Sequence, residues 1–300
     1  MPHEKADHPF ILTVVLVCVV GAAARAEEKQ KMTGKIRIET VAADDFTMDY
    51  FRFGHGDQTL VILPGLSVES VMKFADTVAP AYASFEDRFT VYVFDRRKEL
   101  PPVYTNRDIA RDTAAAIRAL GLDRVCLFGA SQGGMIAMCI AIEQPDLVSR
   151  LILGSTSSHV TDEQFRVIDG WIQLAKAGRT EDLYLAFGEA IYPQQVFEQA
   201  KVLLTESARG VTEEDLSRFV ILAEGIRGFD VTDQLGKISC PVLVIGSLDD
   251  HVLGGEASGK IAEQLKGRAD CELYMYDGYG HAVYDLAPDY KERMLDFLTR

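Results

Sequence analysis

RVCLFGASQGGMIAMCIAIE, residues 124–143, is the stretch on which the fold turns. Its first seven residues, 124–130, are a nearly unbroken apolar run, as expected of a strand buried on both faces. Small residues follow at once, and a helix is predicted from about Gln132 to Glu143. A buried strand passing directly into a helix is the repeating unit of a parallel sheet covered on both sides.

Working outward, the same signature recurs. KIRIETV (35–41) and FTMDYFRFG (46–54) read as a hairpin turning at Asp44-Asp45, with His55-Gly56-Asp57 closing the second strand. TLVILPG (59–65), FTVYVFD (89–95), LILGS (151–155), PVLVIGS (241–247) and CELYMYD (271–277) read as further strands. Helical segments fall at 68–85, from an N-cap at Asn106 to Leu120 with Gly121 ending it, and at 288–298. The rhythm predicts an α/β fold: a mostly parallel β-sheet with helices on both faces. It breaks between about Val160 and Gln234, where helix patterns rich in aromatics (Phe165, Trp171, Tyr184, Phe187, Phe219) replace strands. The predicted division is a core of 35–158 and 236–300 with a helical cap of 159–235, whose aromatics would roof an apolar pocket.

At 300 residues the chain is long enough for one such domain with an insertion. A net charge of −14 argues against nucleic acid as a partner. Five cysteines without close pairing, four of them in or beside apolar runs, read as buried free thiols. No dinucleotide fingerprint, P-loop or HExxH is present, so no cofactor or metal is implied. The apolar run 10–24 is too short to span a bilayer comfortably, and with Ala24-Arg25-Ala26 it makes residues 1–26 an export signal. Glu4 and Asp7 beside Lys5 give it a weak basic leader; a start at Met32, leaving the protein cytoplasmic, or a retained anchor stay open.

The turn after the run 124–130 reads Gly129-Ala130-Ser131-Gln132-Gly133, a G-x-S-x-G between strand and helix. In that setting Ser131 sits on a sharp bend that projects its hydroxyl into a cleft, and the glycines remove side chains that would collide. The helix N-terminus beyond it favours developing negative charge. A serine needs a base, and of six histidines His281, in Tyr279-Gly280-His281-Ala282 just past the final strand, lies where loops overhang the carboxyl ends of a parallel sheet. The carboxylate that would orient it follows PVLVIGS: Asp249 or Asp250, with Asp249 preferred as the third residue after Gly246.

From residue 35 onward these motifs together resemble the α/β-hydrolase superfamily. VILPGLS resembles its strand followed by His-Gly, PVLVIGSLDD its Gly-x-x-Asp segment and YGHAV its histidine loop. The resemblance implies a Ser131-Asp249-His281 triad and an oxyanion hole built from the backbone N–H groups of Gln132 and Leu66. It implies a serine hydrolase that cleaves an ester or related acyl bond of a small to medium apolar molecule through an acyl-enzyme. The expected partner is that small-molecule substrate, with no nucleic acid and no stable membrane partner. Two departures stand out: Pro64 occupies the family's histidine position, and Arg96-Arg97-Lys98 replaces a glycine-rich turn, reading as a solvated loop or as an anchor for an acidic substrate group. Rival readings are a proline-iminopeptidase-like aminopeptidase using Glu181, Asp182 and Glu189, an acyltransferase, and a non-catalytic ligand receptor. Among lesser candidates, His251 reads as surface, His159, Ser155 and Ser157 could border the pocket, and Ser67 and Ser70 could cap a helix.

Overall fold

The computed structural model describes residues 35–300, so the export signal read at 1–26, the alternative start at Met32 and Cys18 lie outside the described residues. β1 (Ile38–Ala43) and β2 (Phe46–Phe53) form the predicted antiparallel hairpin, with Asp44 bending the chain at φ 47°. The remaining strands are β3 (Gln58–Leu63), β4 (Phe89–Arg97), β5 (Val125–Ala130), β6 (Val148–Gly154), β7 (Val242–Ser247) and β8 (Cys271–Tyr276). They join one eight-stranded sheet of order β1-β2-β4-β3-β5-β6-β7-β8. β2 runs antiparallel to β4, and every pairing from β4 to β8 is parallel. β5 and β7 are buried at all six of their positions, which is why their sequences are apolar without alternation.

Helices cover the sheet: α1 (Ala75–Ala81), α2 (Asn106–Ala119), α3 (Gln132–Glu143), α8 (Ala257–Gln264), α9 (Val283–Leu286) and α10 (Tyr290–Leu298). Between β6 and β7 lie α4 (Asp162–Lys176), α5 (Thr180–Ile191), α6 (Gln194–Ala208) and α7 (Glu213–Glu224). The inserted segment leaves and returns at one neck, where Val160 N–H donates to the Phe229 carbonyl and Val231 N–H to that of Ser158, both at 2.8 Å. Thr161 and Thr212 close capping boxes with Gln164 and Asp215 at the starts of α4 and α7. Each such cap contributes about 1 kcal/mol.

The chain goes from β3 outward to β4, then returns past β3 to β5. The loops leaving the carboxyl ends of β3 and β5 therefore diverge, and a crevice opens between them. That crevice positions everything below.

Some boundaries differ from expectation for identifiable reasons. Thr105, not Asn106, caps α2: its backbone is extended, its Oγ1 accepts from Asp108 N–H, and the Asp108 carboxylate answers to Thr105 N–H. Asn106 is instead buried within the helix's first turn. β4 runs two residues beyond 95, because Met48 of β2 still pairs with Arg97. Arg96 is thus a buried strand residue and not part of a solvated loop. The segment 68–85 breaks into 3₁₀ turns at Val71–Phe74 and Ala83–Phe85 around the short α1. Among the described residues no helix is long and apolar enough to cross a membrane.

Candidate active site

Ser131 stands at the junction of β5 and α3 with φ 53° and ψ −120°. Positive φ is costly for a residue with a side chain, and it holds only when the surroundings over-determine it. Here they do. Ser131 N–H donates to the Gly154 carbonyl at 2.8 Å and its own carbonyl accepts from Thr156 Oγ1 at 2.7 Å. The bend also needs the flanking glycines: a Cβ on Gly133 would lie 2.0 Å from the Leu63 oxygen, and one on Gly129 would lie 2.2 Å from the Gly133 oxygen. The elbow is consequently pressed against the end of β3, and the Ser131 hydroxyl is pushed into the crevice.

His281 arrives from the loop between β8 and α9. Its Nε2 lies 2.9 Å from Ser131 Oγ and its Nδ1 lies 2.7 Å from Asp250 Oδ2. The imidazole and that carboxylate are both nearly inaccessible, 3% and 6% exposed. The structure therefore brings Ser131 and His281 together as expected but corrects the carboxylate. Asp250, not Asp249, meets the imidazole.

The reason lies in the turn after β7. Asp250 Oδ1 accepts from the N–H groups of Val252 and Leu253 at 2.8 and 2.9 Å, which locks the carboxylate with Oδ2 facing His281. Asp249 points the other way, accepting from Gly278 N–H at 3.1 Å and Gly280 N–H at 3.0 Å. Burial pushes the Asp249 carboxyl up, but the hydrogen bonds from Ser247, Gly280 and Gly278 outweigh it and hold the group below its usual range. Asp249 thus ties down the histidine loop, while Ala282 N–H anchors the loop's other side on the Ile191 carbonyl at the end of α5.

The loop after β3 crosses directly above the serine. A Cβ on Gly65 would sit 3.2 Å from Ser131 Cβ, and Leu66 beside it is buried and lines the cavity. Gln132, the first residue of α3, has an N–H without an intrahelical acceptor, as first-turn groups do. Its side chain is engaged elsewhere: Nε2 donates to Asn106 Oδ1 at 3.1 Å and to the Leu222 carbonyl of α7 at 2.8 Å.

Ser131 and His281 open into a cavity of about 950 Å³ including its mouth. Its walls are nearly all apolar: Val93 and Phe128 from the sheet, and Ile168, Trp171, Phe187 and Ile191 from α4 and α5. Trp171 and Phe187 pack closely, with ring centroids 4.3 Å apart and the planes tilted by 34°. No lysine or arginine lines the cavity among the described residues. Glu181, Asp182 and Glu189 face solvent, and Asp182 pairs with Arg179. His251 and His159 are exposed, while Ser155 and Ser157 are buried outside the lining. Ser67 does line the cavity, and Ser70 caps the 3₁₀ turn through Met72 N–H. Among the described residues no group of three or more His, Cys, Asp or Glu gathers as a metal site.

This arrangement can withdraw a proton from a serine hydroxyl, hold the resulting imidazolium against a fixed carboxylate and keep an apolar acyl group nearby. Comparison with known proteins agrees with its architecture. A family model described as alpha/beta hydrolase fold matches residues 58–288. A protein of Agrobacterium fabrum provisionally named carbamate hydrolase RutD is 28% identical over 228 residues, covering 73% of this chain and 86% of its own. The mouse serine hydrolase BPHL is 27% identical over 146 residues, 45% of this chain and 48% of that protein. Among solved structures, the enol-lactonase of Burkholderia xenovorans LB400 superimposes with a TM-score of 0.74 at 19% identity, over 87% of this chain and all of the other, a likeness of fold. The sheet order, the strained serine between β5 and α3 and these matches have one reading: this chain belongs to the alpha/beta hydrolase fold family and is a hydrolase.

Proposed function

We propose that the protein is a serine hydrolase that cleaves the ester, or a related acyl bond, of a small to medium apolar substrate through an acyl-enzyme. The observation that carries this reading is the continuous contact from Ser131 Oγ to His281 Nε2 and from His281 Nδ1 to Asp250, opening on an apolar cavity. His281 takes the serine proton as Ser131 attacks the acyl carbon. The N–H groups of Gln132 and Leu66 receive the oxyanion, each such donor being worth about 2.7–4 kcal/mol of barrier. The imidazolium then protonates the leaving group, and the neutral imidazole activates water to release the acid.

The lining supports a neutral acyl group: among the described residues no lysine or arginine borders the cavity to pair with a carboxylate, and the three acidic residues an aminopeptidase would use, Glu181, Asp182 and Glu189, face outward, leaving Asp285 as the one carboxylate beside Asp250's partner His281 in the lining. The relatives' name adds carbamates to the candidates, since a carbamate carbonyl is open to the same attack. A panel of p-nitrophenyl acetate, butyrate, hexanoate, an N-alkyl carbamate ester and an aminoacyl anilide tests the proposal. We expect kcat/KM to peak among the uncharged acyl esters. Turnover of the anilide alone, or binding without turnover, would overturn it. Added alcohol should divert little product to a new ester; a dominant transfer product would mark an acyltransferase.

A further inference from the structure

Proline at position 64 has no N–H and no polar side chain, so the loop above Ser131 lacks the support a histidine there would give. Arg96 supplies a different one. Its guanidinium Nη2 donates to the Pro64 carbonyl at 2.9 Å and approaches Gln132 Oε1 at 3.4 Å. The same carbonyl is pressed from the other side by the first turn of α3, where a Cβ on Gly133 would lie 2.7 Å from the Pro64 oxygen. The Pro64–Gly65 peptide plane is thereby clamped, and it leads straight into the N–H of Leu66.

Arg96 is an unusual residue to find in this position. It is 4% exposed, its Nε makes no hydrogen bond, and no carboxylate lies within ion-pairing distance among the described residues. The neighbouring Asp95 is already engaged by Arg218 of α7 and by Ser70. Burial lowers Arg96 to about 10, so it stays a cation at neutral pH. Asp95 is near enough to favour the charge but not to pair with it, and a buried cation with no direct carboxylate partner is costly, so its persistence calls for a functional explanation. Through Gln132 it is also linked to the Leu222 carbonyl of α7.

We propose that Arg96 is the positioning residue of the oxyanion hole, holding the Pro64-Gly65-Leu66 turn over Ser131 through the Pro64 carbonyl. The inference rests on the serine-hydrolase reading given above. Arg96 touches no substrate and acts through the loop, with a longer contact to Gln132 beside it. Its loss should weaken binding of the oxyanion and leave binding of the neutral substrate nearly intact.

The test compares wild type, Arg96→Met and Arg96→Lys on p-nitrophenyl butyrate, and measures inhibition by an alkyl trifluoromethyl ketone, whose adduct with a serine carries the oxyanion. Removing an oxyanion donor costs about 10²–10³ in kcat, so loosening one should cost about 10- to 100-fold with KM within about threefold. Ketone affinity should fall in parallel with kcat/KM, and Arg96→Lys should recover at least about fivefold over Arg96→Met. Labelling by a fluorophosphonate should reach one adduct per chain in all three proteins, more slowly in Arg96→Met. Arg96→Lys keeps a charge with a single donor head and reads the same way if the methionine variant does not fold. Unchanged kcat, or a fall in kcat with ketone affinity untouched, would overturn the assignment. Absence of any adduct on wild-type Ser131 would instead sink the serine-hydrolase reading, and the Arg96 assignment with it.

Discussion

Replacing Asp250 by asparagine probes the site's least obvious feature. The two backbone N–H groups of Val252 and Leu253 that bind Oδ1 can be satisfied only by an oxygen. The asparagine carbonyl must stay there, which turns its NH₂ toward His281 Nδ1. That nitrogen must then accept, so the ring proton moves to Nε2, the atom 2.9 Å from Ser131 Oγ that should receive the serine proton. Geometry survives while the tautomer is inverted. The loss of kcat expected for this change is about 10⁴-fold, equivalent to about 5.4 kcal/mol at 1.36 kcal/mol per tenfold. Asp249→Asn, by contrast, weakens hydrogen bonds to Gly278 and Gly280, and loss of one such bond at about 1 kcal/mol gives a fall of about fivefold. Steady-state hydrolysis of p-nitrophenyl butyrate by both variants, with matched thermal melts, makes the comparison. Asp250→Asn within tenfold of wild type, or Asp249→Asn the worse of the two, would refute the reasoning.

Two further outcomes are expected. Trp171→Ala should cost about 3–5 kcal/mol in urea denaturation, as truncating a buried aromatic does; it should also narrow the preference for hexanoyl over acetyl esters, while an unchanged preference would remove Trp171 from the acyl wall. Asp215 is pushed up by burial but held below its reference of 3.8 by Thr212 and Lys73, so its contribution is complete above that pH and lost as pH falls through the depressed value. The stability gap between wild type and Asp215→Asn should be flat from neutral pH down to about 5 and close below about 4, and a gap that widens on acidification would contradict it.

The order of strands and helices could be read from the chain because the buried strands are continuous apolar runs, several of them, such as β3, β5 and β6, ending in small residues or at Pro-Gly. Ser131 was legible for the same reason: the strain it carries is written as glycines on either side. His281 followed from its place after the last strand. The choice between Asp249 and Asp250 was not legible from spacing, since adjacent residues past a strand end differ only in which way the following turn points them. The deciding contacts are backbone N–H groups at 252 and 253, which no side-chain pattern announces. Arg96 escaped for a related reason. A run of basic residues reads as solvated surface, and only the pairing of Met48 with Arg97 shows that β4 continues and carries Arg96 inside. The helices α8 and α9 were missed because α8 is short and only partly buried and α9 is a single turn.

The central claim is that Ser131 becomes covalently acylated during turnover. Mixing the enzyme with excess p-nitrophenyl butyrate, quenching in acid within the first turnovers and measuring the intact mass tests it most directly. A butyryl increment is expected on the peptide bearing Ser131, absent in Ser131→Ala and accumulating far more slowly in His281→Ala. Hydrolysis that continues undiminished in Ser131→Ala, or an acyl group found on another residue, would contradict it.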